Sequence, residues 1–339
     1  RPPVPRHRDV DGLIAQGFKL ATRQHPCGEV LAPALTRLAM GRARLELRGA
    51  VALITGASRG IGPVLAEALA RRGTHLALAA RNAHELEQVA ERLRAHGVRV
   101  LALPTDLGVS AQRMELVRRA EAELGPIDLL VNNAGLEQLC FFETMTEADV
   151  ALYTEVNLTA PMQLTRLVLP GMQARGRGHV VNIASIAGFG AAAFGETYGA
   201  TKAGLVGFTR SLRASLKTQG SPVSTSVICP AFISQAGMFA DIQAAHGVKA
   251  PWILGTCTPE AVARALVRAV DRDQPESFVA ERPVGLFFAI GLLFPRILEQ
   301  LTLLFGVNDM FLQAAKSARQ KAELKRSEPQ LQRDASGPQ

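Results

Sequence analysis

The most constraining feature of this chain is a set of short apolar runs in which hydrophobic residues follow one another directly: Leu53-Ile54, Leu129-Leu130-Val131 and Val180-Val181. A strand with one wet face alternates polar and apolar side chains. A strand apolar on consecutive residues is buried on both faces, the condition of a parallel sheet covered by helices. Strands are expected at 51–55, 74–80, 98–103, 127–131, 179–184, 223–228 and 277–280. Helical spacing fills 61–72, 83–96, 110–124, 146–173, 196–218 and 259–270 between them. Alternating βα units with right-handed crossovers give an α/β fold, a doubly wound parallel sheet with helices on both faces. Ligands of such sheets bind beyond the carboxyl ends of the strands. Aromatics are only 5% of the 339 residues, so the packing expected is small-residue helix on sheet rather than an all-β sandwich.

The formal charge of +8 resembles a nucleic-acid signal until it is located. Residues 49–310 carry 23 charges of each sign, so the whole excess sits in the two ends of the chain. The main domain therefore has no basic footprint, and no nucleic-acid partner is expected. Cys27, Cys140, Cys229 and Cys257 have neither metal-ligand nor redox spacing. They read as free thiols in a reducing compartment, with no metal. No secretory signal is legible, because the apolar stretch 30–40 is broken by Pro33 and Arg37. The organisation expected is a basic extension over 1–48, a catalytic domain over 49–282, an apolar helical extension over 283–326 and a disordered tail over 327–339. Within the third segment, the apolar run 284–294 is half the length of a membrane span. Packing on the domain or a second copy is expected there, with peripheral membrane contact through 284–307 as the alternative. The location expected is cytoplasmic, with or without membrane association.

The first strand leads directly into 55-TGASRGIG-62. Three glycines between a buried strand and a helix bring backbone N–H groups and a helix N-terminus together, an anion site suited to a pyrophosphate. Gly56 permits the tight turn, Gly60 a close backbone approach, and Gly62 the packing of helix on strand. The second strand ends 78-LAARN-82, with Ala80 where a carboxylate for a ribose 2′-hydroxyl would stand and Arg81 beside it. Arg59 lies within the glycine turn. Two guanidiniums and no acid suit a 2′-phosphate, which favours NADP(H) over NAD(H). Asp106 is placed either to bond an adenine amino group or to cap the next helix. In 132-NNAG-135, Asn132 and Asn133 can bond backbone groups while Gly135 turns the chain.

Tyr198 and Lys202 stand at i and i+4 of a predicted helix and share a face. An ammonium beside a phenol favours the phenolate, and a phenol tuned in this way can exchange a proton with a carbonyl oxygen. Ser185 ends the preceding strand, where its hydroxyl could bond the same oxygen. Asn157, in 155-EVNLTA-160, could hold a water linking the lysine to solvent. Tyr153 has no such company and reads as packing.

Together these elements resemble the short-chain dehydrogenase/reductase family over about residues 50–280. The resemblance rests on TGASRGIG at 55–62, NNAG at 132–135, Asn157, Ser185, Tyr198 and Lys202, with thirteen residues from the serine to the tyrosine. It implies a Rossmann-type sheet of about seven strands and a homodimer or homotetramer. It implies Tyr198 as catalytic acid/base, Ser185 as the group positioning the carbonyl, Lys202 on nicotinamide-ribose hydroxyls and Asn157 in a proton relay. The cofactor site implied comprises Thr55, Gly56, Ser58, Arg59, Gly60, Ile61, Gly62, Arg81, Asp106, Leu107, Asn133, Ala134, Gly135, Tyr198, Lys202, Pro230 and Ile233. One departure concerns nicotinamide docking: 229-CPAFISQAG-237 has Ala231 for the usual Gly, and Ser234 or Gln235 near the usual Thr.

The activity expected is NADP(H)-dependent interconversion of a carbonyl and a secondary alcohol. Segment 232–258, with Met238, Phe239 and Trp252, is expected to form the substrate lid, with Phe189 and Phe194 close by. That points to an apolar substrate: a 3-oxoacyl group, a steroid-like molecule or another lipid ketone. The alternatives are oxidation of a hydroxysteroid or similar alcohol and a catalytically silent NADP-binding scaffold. A nucleotide-sugar epimerase fits less well, given the glycine spacing and the short C-terminal region.

Overall fold

The structure is a computed structural model that describes residues 44–320. Residues 1–43 of the basic extension, Cys27, and 321–339 with the expected polar tail lie outside the described residues. Seven parallel strands form one sheet in the order β3-β2-β1-β4-β5-β6-β9. They are β1 (Val51–Thr55), β2 (His75–Ala80), β3 (Val100–Pro104), β4 (Leu129–Asn132), β5 (His179–Ile183), β6 (Ser224–Pro230) and β9 (Glu276–Val279). A second, two-stranded sheet pairs β7 (Phe232–Ile233) with β8 (Thr256–Cys257). Every residue of β1, β4, β5 and β6 is buried, the polar His179, Asn182, Ser224, Thr225 and Ser226 of β5 and β6 included.

The helices that cover the sheet are α1 (Gly62–Ala70), α2 (Ala83–Arg94), α3 (Ser110–Leu124), α5 (Ala160–Arg175), α6 (Glu196–Thr218) and α8 (Pro259–Arg272). Ala52 and Ile54 of β1 face the core beneath α1, α2 and α8. Val51 and Leu53 face the opposite core, beneath α3 and α5. Successive side chains of one strand thus supply two cores. Leu45 and Leu47, ahead of the first strand, are buried in the first of them, and Thr74 Oγ1 donates to Leu47 O at 2.8 Å.

The stretch 146–173 is not one regular helix. It divides into α4 (Glu147–Thr154), a π-helical turn over Glu155–Thr159, and α5. Pro161 explains the break. It has no N–H to donate to the Asn157 carbonyl four residues back, so the regular ladder cannot continue through this point. Buried Arg113 of α3 clasps the turn from outside, with its Nη1 2.6 Å from Glu155 Oε1.

Beyond the sheet, α7 (Met238–His246) lies between β7 and β8 in sequence. After β9 come α9 (Val284–Leu293), α10 (Pro295–Leu304) and α11 over 307–320. Val284, Phe288, Met310, Phe311 and Ala314 from this region join the core under α1 and α8. Their outward neighbours Leu286, Leu292, Leu293, Leu303 and Leu304 are exposed. No helix among the described residues is long and apolar enough to cross a membrane.

Candidate active site

The carboxyl ends of β1 and β4 are stitched together by side chains of the two loops that follow them. Thr55 Oγ1 accepts from Asn133 N at 3.0 Å and Ala134 N at 3.1 Å. Asn133 Nδ2 donates to Thr55 O at 2.9 Å and Gly56 O at 3.0 Å. Gly56 has φ +65°, and a Cβ there would stand 2.8 Å from the Ala134 Cα; a Cβ on Gly62 would meet the Gly56 carbonyl at 2.1 Å. Neither position tolerates a side chain. Behind this cradle, the N-terminus of α1 has no side-chain cap, so the N–H groups of Gly62 and Val64 face the anion site, Pro63 between them having none. The residues present therefore fit a dinucleotide. Asn132 does something else: it donates to Asn182 Oδ1 at 2.8 Å beneath the loop, and Asn182 donates in turn to Thr209 Oγ1 at 2.8 Å.

One cavity of about 290 Å³ opens over this cradle and extends between β5, β6, α6, α7 and the C-terminal helices. Ser185, Tyr198 and Lys202 all line it. Ser185 stands two residues beyond the end of β5, with its Oγ accepting from Ala187 N at 3.1 Å, and it faces the same cavity as the Tyr198 phenol. One turn along α6, Lys202 is buried, and its Nζ donates to Ile183 O at 3.0 Å and stands 5.5 Å from the Tyr198 ring centroid. Asn157 does not line the cavity; it is fully buried one layer behind. Its Oδ1 accepts from Leu136 N at 2.7 Å, and its Nδ2 donates to Leu136 O at 2.8 Å and Thr201 Oγ1 at 3.2 Å.

The charges of the site differ from expectation in one respect. Burial pushes the Tyr198 phenol above its ordinary pKa, and the carboxylate of Glu137 adds to that, while the Ser185 hydroxyl works against it. The anticipated depression by Lys202 is absent in the protein alone. Burial lowers Lys202 itself to about 8, with Glu137 opposing, so the lysine is still mostly a cation at neutral pH but loses its proton on mild alkalinisation. Glu137 is raised to about 7 by burial, with Lys202 opposing. This carboxyl group was missed in the sequence. A lone acid two residues beyond NNAG is indistinguishable there from a polar loop residue.

Of the cofactor residues named from the sequence, Gly56, Arg59, Gly60, Ile61, Asn133, Ala134, Gly135, Pro230 and Ile233 also line the cavity. Thr55, Ser58, Gly62, Arg81, Asp106 and Leu107 do not. Thr55 acts through the loops it ties, and Leu107 is buried in the core. Asp106 Oδ1 accepts from Gly108 N at 2.8 Å, which closes a turn ahead of α3. Arg59 meets Asp241 of α7 at 3.5 Å in an exposed pair, an arrangement worth about 0–1 kcal/mol. Arg81 is exposed at the end of β2.

The lid expectation is corrected in its aromatic residues. Met238 and Phe239 line the cavity, together with Phe232, Phe288 and Phe311. Trp252 does not: it is exposed, edge-on to Phe305 at 5.7 Å, with Arg282 over its ring. Phe189 packs behind the wall on Phe278, 4.8 Å between centroids. Phe194, with φ 61°, is turned onto Phe141 at 5.4 Å. At the departure after β6, Ser234 and Gln235 are both exposed and outside the cavity lining, whereas Ala231 is part of it. All three described cysteines, Cys140, Cys229 and Cys257, are free and buried. Among the described residues, no cluster of His, Cys, Asp and Glu could hold a metal ion.

Comparison with known proteins places this geometry. A family profile described as short chain dehydrogenase matches residues 50–247. The ketoacyl reductase HetN of Nostoc sp. is 38% identical over 268 residues, covering 78% of this chain and 91% of that protein. A metagenomic short-chain oxidoreductase solved in complex with NADP superposes with a TM-score of 0.59 at 32% identity, over 70% of this chain and 99% of that one. A short chain dehydrogenase/reductase from Burkholderia phymatum solved with NAD has a TM-score of 0.65 at 27% identity, over 74% of this chain and 96% of its own.

Proposed function

The chain belongs to the short-chain dehydrogenase family, oxidoreductases acting on CH–OH groups with NAD(P), and we propose that it reduces the carbonyl of an apolar substrate with NADPH. The observation that carries this reading is the convergence of Ser185, Tyr198 and Lys202 on a cavity that has the glycine cradle at one end and an apolar wall at the other. NADPH, when bound, supplies the hydride that the carbonyl carbon receives. Tyr198 supplies the proton: a phenol whose acidity is suppressed stays protonated at neutral pH and is a donor in the reductive direction. Ser185 hydrogen-bonds the same substrate oxygen and fixes it against the phenol. Lys202 holds the ribose side of the cofactor and supports the phenolate left behind. Asn157 acts at one remove by pinning Leu136, and so Gly135, beside them.

The 3-oxoacyl class leads among the apolar ketones, supported by the name of the Nostoc relative and by Leu139, Ile186, Phe239, Phe288 and Phe311 on the wall. The preference for NADPH rests on Arg59 and Arg81, both exposed around the cradle, and on Ala80 where an acid would favour NADH. The test is a ketone panel run with NADPH and NADH on the wild type and on Tyr198→Phe. The expected result is turnover with NADPH preferred, no turnover by the variant, and unchanged NADPH binding by fluorescence. Near-normal activity of Tyr198→Phe overturns the mechanism, and a preference for NADH overturns the argument from the two arginines.

A further inference from the structure

Glu137 is the side chain of the cavity that this reaction leaves unused. Its neighbours are fixed. Leu136 is held through both its N–H and its carbonyl by Asn157, and the Gln138 side chain accepts from the Tyr153 hydroxyl at 2.9 Å. Leu139 is buried in the core and lines the cavity. Between these anchors, Glu137 lines the cavity with Ser185, Tyr198 and Lys202, and it makes no hydrogen bond or ion pair among the described residues. The remaining charged residues of the lining, Arg59 and Asp241, face each other at 3.5 Å. A carboxyl group in this cavity that makes no hydrogen bond or ion pair among the described residues has its acceptor oxygens open to whatever enters.

From this placement we propose that Glu137 is a specificity-determining residue: it receives a hydrogen-bond donor or cation carried by the substrate near its reacting carbon, and it excludes substrates with an anion there. The substrate class narrows to an apolar ketone or alcohol bearing a hydroxyl, amide N–H or ammonium close to the carbonyl. This rests on the carbonyl-reductase reading of the site. Above about pH 7, where Glu137 is ionised, an unpaired acceptor facing a ligand discriminates strongly, because a ligand without the donor leaves a desolvated carboxylate unmatched. The groups facing it electrostatically are Lys202 and Tyr198 of α6 and Tyr153 of α4. The first offers a partial counter-charge and the other two offer none while they remain neutral phenols.

Two measurements separate this proposal from the reading beneath it. The first is binding of hexylamine and hexanoate to the NADP-saturated protein by calorimetry at a pH about one unit above the Glu137 pKa of about 7, in the wild type, Glu137→Gln and Glu137→Leu, with circular dichroism confirming that each variant is folded. The wild type is expected to favour the amine at least tenfold, and both variants to lose that preference. An equal affinity in the wild type, or a preference that survives both variants, overturns the proposal whether or not any ketone is turned over. The second is kcat/KM with NADPH for matched ketones that differ by a hydroxyl or a carboxylate beside the carbonyl. A loss of ranking in Glu137→Gln supports the proposal. A uniform fall in kcat with the ranking intact assigns Glu137 to the proton chemistry of Tyr198 instead and overturns it. Absence of turnover with every ketone removes the carbonyl-reductase reading and leaves the binding measurement to decide the role of Glu137.

Discussion

At the scale of single residues, the site holds its ionisable groups in their neutral forms more than water would. Burial is the leading cause for Tyr198, Lys202 and Glu137 alike. For Glu137 this has a consequence for folding that is independent of catalysis. Its pKa rises from 4.5 to about 7, so between those values the unfolded chain ionises while the folded protein keeps its proton. Stability present below 4.5 is therefore lost as the pH climbs to about 7, and no more is lost above it. Glu137→Gln carries no such charge. Its melting midpoint should match the wild type near pH 4.5, exceed it increasingly up to pH 7, and hold a constant advantage at higher pH. Melting curves of the cofactor-free proteins across that range check this, and a wild-type midpoint parallel to the variant at every pH contradicts it. The same residue marks a limit of reading from sequence. Tyr198, Lys202 and Ser185 were legible because their spacing encodes a shared face and a strand end. A solitary acid has no spacing, and its meaning comes from the cavity that forms around it.

At the scale of elements, strands were the most legible, because being apolar on consecutive residues is a direct trace of burial on both faces. The π turn over Glu155–Thr159 was not. Hydrophobic spacing runs through it with little change, and the proline that disturbs the ladder sits at a position many helices tolerate. Yet this irregularity aims Asn157 at the loop after β4. The Asn157 amide satisfies both backbone groups of Leu136, so Asn157→Ala leaves a donor and an acceptor unpaired in a half-buried place. The expected cost is about 2 kcal/mol, or a midpoint lower by about 4–8 °C. In kinetics, kcat should fall because Gly135 and Glu137 flank the released residue, while NADPH binding at the cradle persists. An unchanged midpoint would show that Leu136 finds other partners. The lid illustrates the opposite error, in which nearness along the chain was taken for nearness in space. Phe189 and Phe194 lie between Ser185 and Tyr198 in sequence, but one packs behind the wall and the other is turned away by a left-handed backbone.

At the scale of the whole molecule, the site is finished by residues about a hundred positions beyond its tyrosine. Phe288 of α9, with Val307 and Phe311 of α11, supplies cavity wall that the sheet and its crossover helices do not. Nothing in an apolar stretch such as 284–294 distinguishes wall from membrane contact until the fold turns one face inward, and its composition alone fits either. Phe288 is the hinge of this arrangement. Its ring packs with Phe278 and Phe189 at 6.2 Å each, and it stands against Gly190, where an added Cβ would come within 2.7 Å of it. Phe288→Ala should therefore act in two separable ways. Loss of a buried ring costs about 3 kcal/mol, the low end of the usual range because one face already borders a cavity. That corresponds to a midpoint lower by about 6–12 °C. The enlarged cavity should also raise KM for long-chain ketones severalfold and leave short-chain ketones little affected, with kcat on the short substrates preserved because Ser185, Tyr198 and Lys202 are held by β5 and α6 rather than by the C-terminal helices. Measuring KM against chain length in the wild type and the variant decides the matter. A chain-length profile shifted equally at every length would mean that the C-terminal helices support the fold without shaping the substrate site.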